Sequence, residues 1–108
     1  MSHATSTTLY RVDKFTVPLA AVAVFTERLR TIQQLLSGQP GVRQNLVLTQ
    51  PAGLDATQMV TIVEWESEAA MAAAKAFTQR HYAEQGFNPA AFMQEHGIRP
   101  DFGVYQAL

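Results

Sequence analysis

The chain predicts an α+β fold of order β-α-β-β-α-β, with a short extra helix before the last strand. Three observations lead there. Met59 to Trp65 is almost wholly apolar and rich in Val, Ile, Thr and Trp, the composition of a strand buried on both faces. Ser67 follows as a good N-cap, Glu68 suits the start of a helix dipole, and an Ala-rich run then continues the helix. Earlier in the chain, Val22, Phe25, Leu29, Ile32 and Leu36 step by three or four residues, which is one stripe of a helix.

The elements follow in order. Leu9 to Val17 reads as the first strand, with Tyr10, Val12, Lys14 and Thr16 on one face and Leu9, Arg11, Asp13, Phe15 and Val17 on the other. Pro18 marks its exit and suits a first helical turn, so the first helix is expected from there to about Ser37. Gly38, Pro40 and Gly41 end it. Val42 to Gln50 alternates moderately and gives a second strand. Pro51, Gly53 and Asp55 mark a loop before the third. The second helix runs from the Ser67 cap to about Gln85, with Gly86 closing it. Asn88-Pro89 is an N-cap followed by proline at the first helical position, and it opens a short helix that Gly97 stops. Phe102 to Gln106 completes the set, with Phe102 and Val104 on one face and Tyr105 on the other.

This is the split-βαβ, ferredoxin-like order, in which the first and third strands are central and the four-stranded sheet is antiparallel. Two helices cover one face of such a sheet. The third strand nevertheless offers apolar residues to both: Met59, Val63 and Trp65 to one, Val60 and Ile62 to the other. The second face therefore calls for a partner, and a second copy packed sheet to sheet is the economical one.

Composition narrows the function classes. Apolar residues make up 47% and charged residues 16%, against about 25% charged in an ordinary chain; apolar surface is left for a subunit interface. The net charge of −1 and the scattered basic residues give no footprint for nucleic acid or an anionic membrane. With no Cys there is neither disulfide nor thiolate chemistry, which suits a reducing cytoplasm. Residues 1–8 are small and polar and read as a frayed tail, with His3 given no role; residues 9–108 form one domain.

Several segments together resemble the antibiotic biosynthesis monooxygenase family of the dimeric α/β-barrel superfamily. They are Phe15-Thr16-Val17-Pro18, Gln39-Pro40-Gly41-Val42, Thr61 to Ser67 with its Trp65, Gly86-Phe87-Asn88-Pro89, and the late Tyr105. The resemblance implies a homodimer whose sheets form a barrel, with a pocket in each subunit between sheet and helices. It implies oxygen insertion into a small aromatic phenol or quinol without metal or flavin, or, alternatively, haem binding and breakdown. A non-enzymatic dimer that binds a small molecule is a third reading. In both active branches a Trp lines the pocket at the place of Trp65. The quinone-forming branch has Asn where this chain has Thr61, an aromatic hydroxyl where Met71 stands, and an Arg near the end of the second helix, where Arg80 and Gln85 come nearest. The haem branch has Asn at the place of Asp13.

Five residues become candidates. Trp65, at the end of a central strand, can stack on a flat ligand or donate its indole N–H, besides packing under the helix. His81 lies on the stripe Ala70, Ala74, Phe77, His81 and points toward the sheet side; it is a candidate base, or an iron ligand under the haem reading, besides being an ordinary boundary histidine. Asp13 can orient a hydroxyl or take its proton, or simply pair with Arg11 or with an Arg of a neighbouring strand. Phe77 is expected in the substrate wall with Trp65, and Tyr82 as a donor to a substrate oxygen. No second His or carboxylate stands at metal-ligand spacing from His81, so no metal is assigned. The oxygenase reading needs no cofactor; haem belongs to the alternative.

Overall fold

The protein is described by a computed structural model covering residues 7–108. The expected tail therefore lies, over residues 1–6 and with His3, outside the described residues. Thr7 Oγ1 donates to the Glu66 carbonyl at 2.7 Å and Arg43 donates to Thr8 Oγ1 at 2.9 Å, so the chain is held against the sheet just before it enters the first strand.

The elements are β1 (Leu9–Pro18), α1 (Val22–Ser37), β2 (Val42–Pro51), β3 (Ala56–Trp65), α2 (Glu68–Glu84), α3 (Pro89–Glu95) and β4 (Arg99–Tyr105). All strand pairings are antiparallel, in the order β2-β3-β1-β4, so β1 and β3 are central as the apolar patterns require. Pro51 and Pro100 fall on the two edge strands, where a missing N–H is tolerated. β3 starts three residues before the expected Met59, and β4 starts at Arg99 instead of Phe102. In both cases the polar or Pro-containing lead-in is recruited because a strand beside it is already long enough to pair: Ala56 meets Pro18, and Arg99 meets Thr16.

One boundary differs for a clear reason. Pro18 ends β1 and does not start a helix; Leu19–Ala21 forms a 3₁₀ turn and α1 begins at Val22. No Ser, Thr, Asp or Asn stands here to cap the N-terminus, and Ala21 makes no side-chain cap. The tight turn takes its place, anchored by Leu19 N–H donating to the Asp55 carbonyl at 3.1 Å.

The other helix ends follow their sequence signals. Ser67 Oγ accepts from Ala70 N–H at 3.1 Å, and Asn88 Oδ1 accepts from Ala91 N–H at 3.0 Å. At the end of α2, Gly86 takes φ +63°. Its N–H donates to the Ala83 carbonyl at 3.1 Å, and Phe87 N–H donates to the Tyr82 carbonyl at 2.9 Å. This pair of bonds is the Schellman closure, and it sets the Phe87 ring against Tyr82, centroids 5.3 Å apart.

The helices lie on one face of the sheet, and the core beneath them is in two parts. The larger gathers Phe15, Val17, Ala21, Phe25, Leu29, Met59 and Ile98. The smaller gathers Val63, Trp65 and Ala74 at the opposite end of β3. Each fully buried Phe or Met contributes about 1.5–3 kcal/mol by leaving water. The other sheet face carries Val12, Val60 and Ile62, with Leu46 37% and Leu48 49% exposed beside them. No helix covers this apolar band.

Candidate functional site

Between the two core clusters the sheet bears Arg11, Asp13 and Thr61, all on the helix side. Asp13 and Thr61 are register partners on the two central strands. Polar side chains at mid-sheet do not fill space as the flanking Phe and Val do, and above them lies a cavity of about 700 Å³. Its floor is the sheet, its walls are α1 and α2, and the segment from Phe87 to Met93 closes one end. The lining is predominantly apolar, which is the usual character of a small-molecule site.

Aromatic rings dominate one side. Tyr82, Phe87, Phe92, Phe25, Phe15 and Phe102 each contact the next, with centroid distances of 5.3, 5.5, 6.5, 4.9 and 6.0 Å along the series. All six line the cavity. A guanidinium sits at each end of the series. Arg28 lies 3.7 Å from the Phe87 centroid and 5.6 Å from that of Phe92, and Arg11 lies 5.3 Å from that of Phe102.

Asp13 is the one acidic side chain in the lining. Arg11 Nε donates to its Oδ1 at 2.7 Å, the only ion pair among the described residues. The carboxyl side chain is 17% exposed. Burial pushes its pKa above the ordinary carboxyl value, against the hydrogen bond and charge of Arg11 and a bond from the Gly103 N–H, which pull it down. The result is a carboxylate poised to accept a proton more readily than a solvated one. Burial also raises the Tyr82 phenol, against the pull of Arg28, so at neutral pH Tyr82 is a neutral donor. Trp65 is 3% exposed, lines the cavity, and its indole N–H makes no hydrogen bond within the described residues.

The structure thus brings together Asp13, Trp65 and Tyr82. It does not bring in His81 or Phe77. α2 turns about 100° per residue, and its two neighbouring stripes have different jobs. Ala70 and Ala74 pack on Val63 and Trp65, and His81 continues that line. Met71, Lys75, Thr78, Gln79 and Tyr82, one residue further round, face the cavity. Reading the sheet-facing stripe as the site-facing stripe is the source of the difference. The His81 Nε2 is buried with no hydrogen-bond partner among the described residues. A haem in this cavity would not meet its imidazole, and no histidine lines the cavity; no group of three His, Asp or Glu side chains converges among the described residues.

Sequence reasoning missed Arg28, Phe87 and Phe92. A signal for Arg28 exists: it stands three residues after Phe25 and four before Ile32, at the edge of the apolar stripe of α1. Phe87 was legible too, as the residue after a helix-closing glycine, where a hydrophobic contact back to the last turn is common. Of the positions singled out by resemblance, Thr61 and Met71 line the cavity and Arg80 and Gln85 do not; the arginine beside Tyr82 is Arg28, supplied by α1.

No helix is long and apolar enough to cross a membrane among the described residues. No curated protein matches the chain in sequence. Among solved structures, the cofactor-independent oxygenase SnoaB from Streptomyces nogalater, in a mutant form, superposes with a TM-score of 0.66 at 21% identity, over 94% of this chain and 93% of that one. A candidate monooxygenase from Shewanella loihica PV-4 superposes with a TM-score of 0.70 at 18% identity, over 97% and 98% of the two chains. The de novo designed protein Foldit4 also superposes, with a TM-score of 0.61 at 8% identity over 94% and 99%. These likenesses carry the fold, which a designed chain shares, and not an activity. The sequence itself carries more: the antibiotic biosynthesis monooxygenase profile matches residues 8–84. That span runs from the first strand through the last turn of α2 and includes Asp13, Thr61 and Trp65, and the chain belongs to the antibiotic biosynthesis monooxygenase family.

Proposed function

We propose that the protein is a cofactor-independent monooxygenase acting on a small aromatic phenol inside the cavity between sheet and helices. The observation that carries this reading is a single desolvated carboxylate, Asp13, the one acidic side chain in a predominantly apolar and aromatic chamber. The family and the monooxygenase-type relatives support the reaction class.

The chemistry needs no other group. Asp13 takes the phenol proton, and the electron-rich phenolate passes one electron to dioxygen, giving a substrate radical and superoxide. Their recombination forms a C–O bond at the ring carbon that is CH₂ in the keto tautomer and carries a single hydrogen in the phenol tautomer, and leaves a peroxide, which picks up a proton. Loss of the remaining C–H proton and cleavage of the O–O bond give a ketone and water. The four electrons that leave the CH₂ carbon reduce one dioxygen, one of whose oxygens stays on the product. Asp13 supplies the base, Trp65 and the phenylalanines hold a flat ring, and Tyr82 donates to a substrate oxygen. The apolar lining excludes water that would otherwise solvate the phenolate and slow the electron transfer.

The active species in this reading is a homodimer joined through the open sheet faces. What supports it is the uncovered band of Val12, Leu46, Leu48, Val60 and Ile62.

Oxygen uptake with a panel of hydroquinones and anthrones tests the reaction. At least one substrate is expected to turn over, and Asp13→Asn is expected to lower kcat by about 10²- to 10⁴-fold. Absence of uptake across the panel, or full activity in Asp13→Asn, defeats the reading.

A further inference from the structure

We infer that the cavity selects an acidic ligand, a flat aromatic bearing a carboxylate, and that Arg28 with Lys75 holds its anionic group. The inference names the substrate class of the site proposed above and rests on that site being the binding chamber.

The charge count comes first. Four charged side chains line the cavity: Arg11, Asp13, Arg28 and Lys75. Asp13 neutralises Arg11 at 2.7 Å. Arg28 and Lys75 have no carboxylate partner among the described residues. The chamber therefore carries two uncompensated positive charges, although the chain as a whole carries a net charge of −1. Beside a predominantly apolar lining such charges attract a ligand anion.

Geometry singles out Arg28. It comes from α1, is half-buried, and is stacked 3.7 Å over the Phe87 ring. Stacking occupies the face of the guanidinium and leaves its N–H donors in the plane, where a carboxylate can be met by two parallel hydrogen bonds. The same stacking holds the side chain still before the ligand arrives, so little rotamer freedom is lost on binding. Phe87 is itself fixed by the Schellman closure of α2, so a backbone motif ultimately orients the cation. Tyr82, close enough to Arg28 for its phenol to feel the charge, adds a neutral donor at that end. Lys75, exposed on the cavity stripe of α2 about two turns before Tyr82, adds a second positive charge that draws an anion inward. The aromatic series beside these cations gives the rest of the ligand its stacking surface.

Fluorescence titration with two matched probes, 9-anthracenecarboxylate and 9-anthracenemethanol, tests this without relying on turnover. The carboxylate is expected to bind about 10- to 100-fold more tightly, as charge-assisted hydrogen bonds imply. Arg28→Gln is expected to remove most of that preference and Arg28→Lys to keep part of it. Lys75→Gln, a change at an exposed position that keeps the fold even where an Arg28 variant does not, is expected to reduce the preference and flatten its salt dependence. Equal binding of the two probes, failure of both to bind, or a preference that survives in Arg28→Gln and Lys75→Gln alike overturns the inference. Because the readout is binding, an oxygen-uptake failure sinks the oxygenase reading and leaves this one standing, while equal probe binding does the reverse.

Discussion

Helices α1 and α2 cover the same sheet face in different ways. α1 drives Phe25 and Leu29 into the core, and these pack with Phe15, Met59 and Ile98. α2 has one buried residue, Ala74, and rests on Val63 and Trp65 through alanine. The large side chains of α1 fill the interface they make. The small ones of α2 let the helix approach closely along one line and leave open volume beside it. The cavity is thus a product of the difference: α1 supplies the packing that keeps the layers together, and α2 supplies a wall. Stability should depend mainly on the first helix, and ligand binding mainly on the volume beside the second.

Phe25→Ala should break the comparison most severely. It removes a 5%-exposed ring that touches both Phe15 and Phe92, at a cost of about 3–5 kcal/mol in denaturant unfolding. A loss under 1 kcal/mol would mean that α1 is not the clamp. Ala74→Leu should cost less, about 1–3 kcal/mol, because three extra carbons must be fitted where α2 lies closest to Trp65. A neutral result there would show that α2 stands off the sheet along its whole length. Ser67→Ala removes the oxygen that accepts from Ala70 N–H and should cost about 1 kcal/mol; the measurement of interest is whether it loosens α2 alone, as faster amide exchange in that helix and not in α1.

The smallest effect concerns pH. Burial places the folded-state pKa of Asp13 above its ordinary value of 3.8. In the window just above 3.8 the folded chain keeps a proton that the unfolded chain has released. Stability contributed by this group is therefore highest at low pH and falls as pH rises through the window. Asp13→Asn should flatten that part of the profile, seen as a smaller loss of stability than in the parent as pH rises above 3.8. An unchanged slope would show that Arg11 fully offsets the burial.

The differences between expectation and structure sort by the range over which each signal acts. β1 was legible from its two faces of period two, and β3 from a nearly continuous apolar run that suits a strand buried on both sides. The Ser67 and Asn88 caps were legible because a cap is a matter of two or three residues. Asp13 and Trp65 were legible as cavity-lining residues because strand parity alone puts them on the helix side. The second helix was harder. Ala70, Ala74, Phe77 and His81 make a sound sheet-facing stripe, but the cavity is one residue further round, and Phe77 is the one phenylalanine of the chain that does not line it.

Sequence by itself determined the order of elements, the two central strands, the caps and closures of α2 and α3, and the uncovered apolar band. Each of these depends on local backbone preference or on a short period of apolar residues, which a single strand or helix expresses alone. Only the tertiary structure decided that Arg28 of α1 meets Phe87 beyond α2, that Asp13 keeps Arg11 as its partner, and that His81 stays outside the chamber. A cavity is the volume left when side chains from several elements fail to meet, and no one element carries that information.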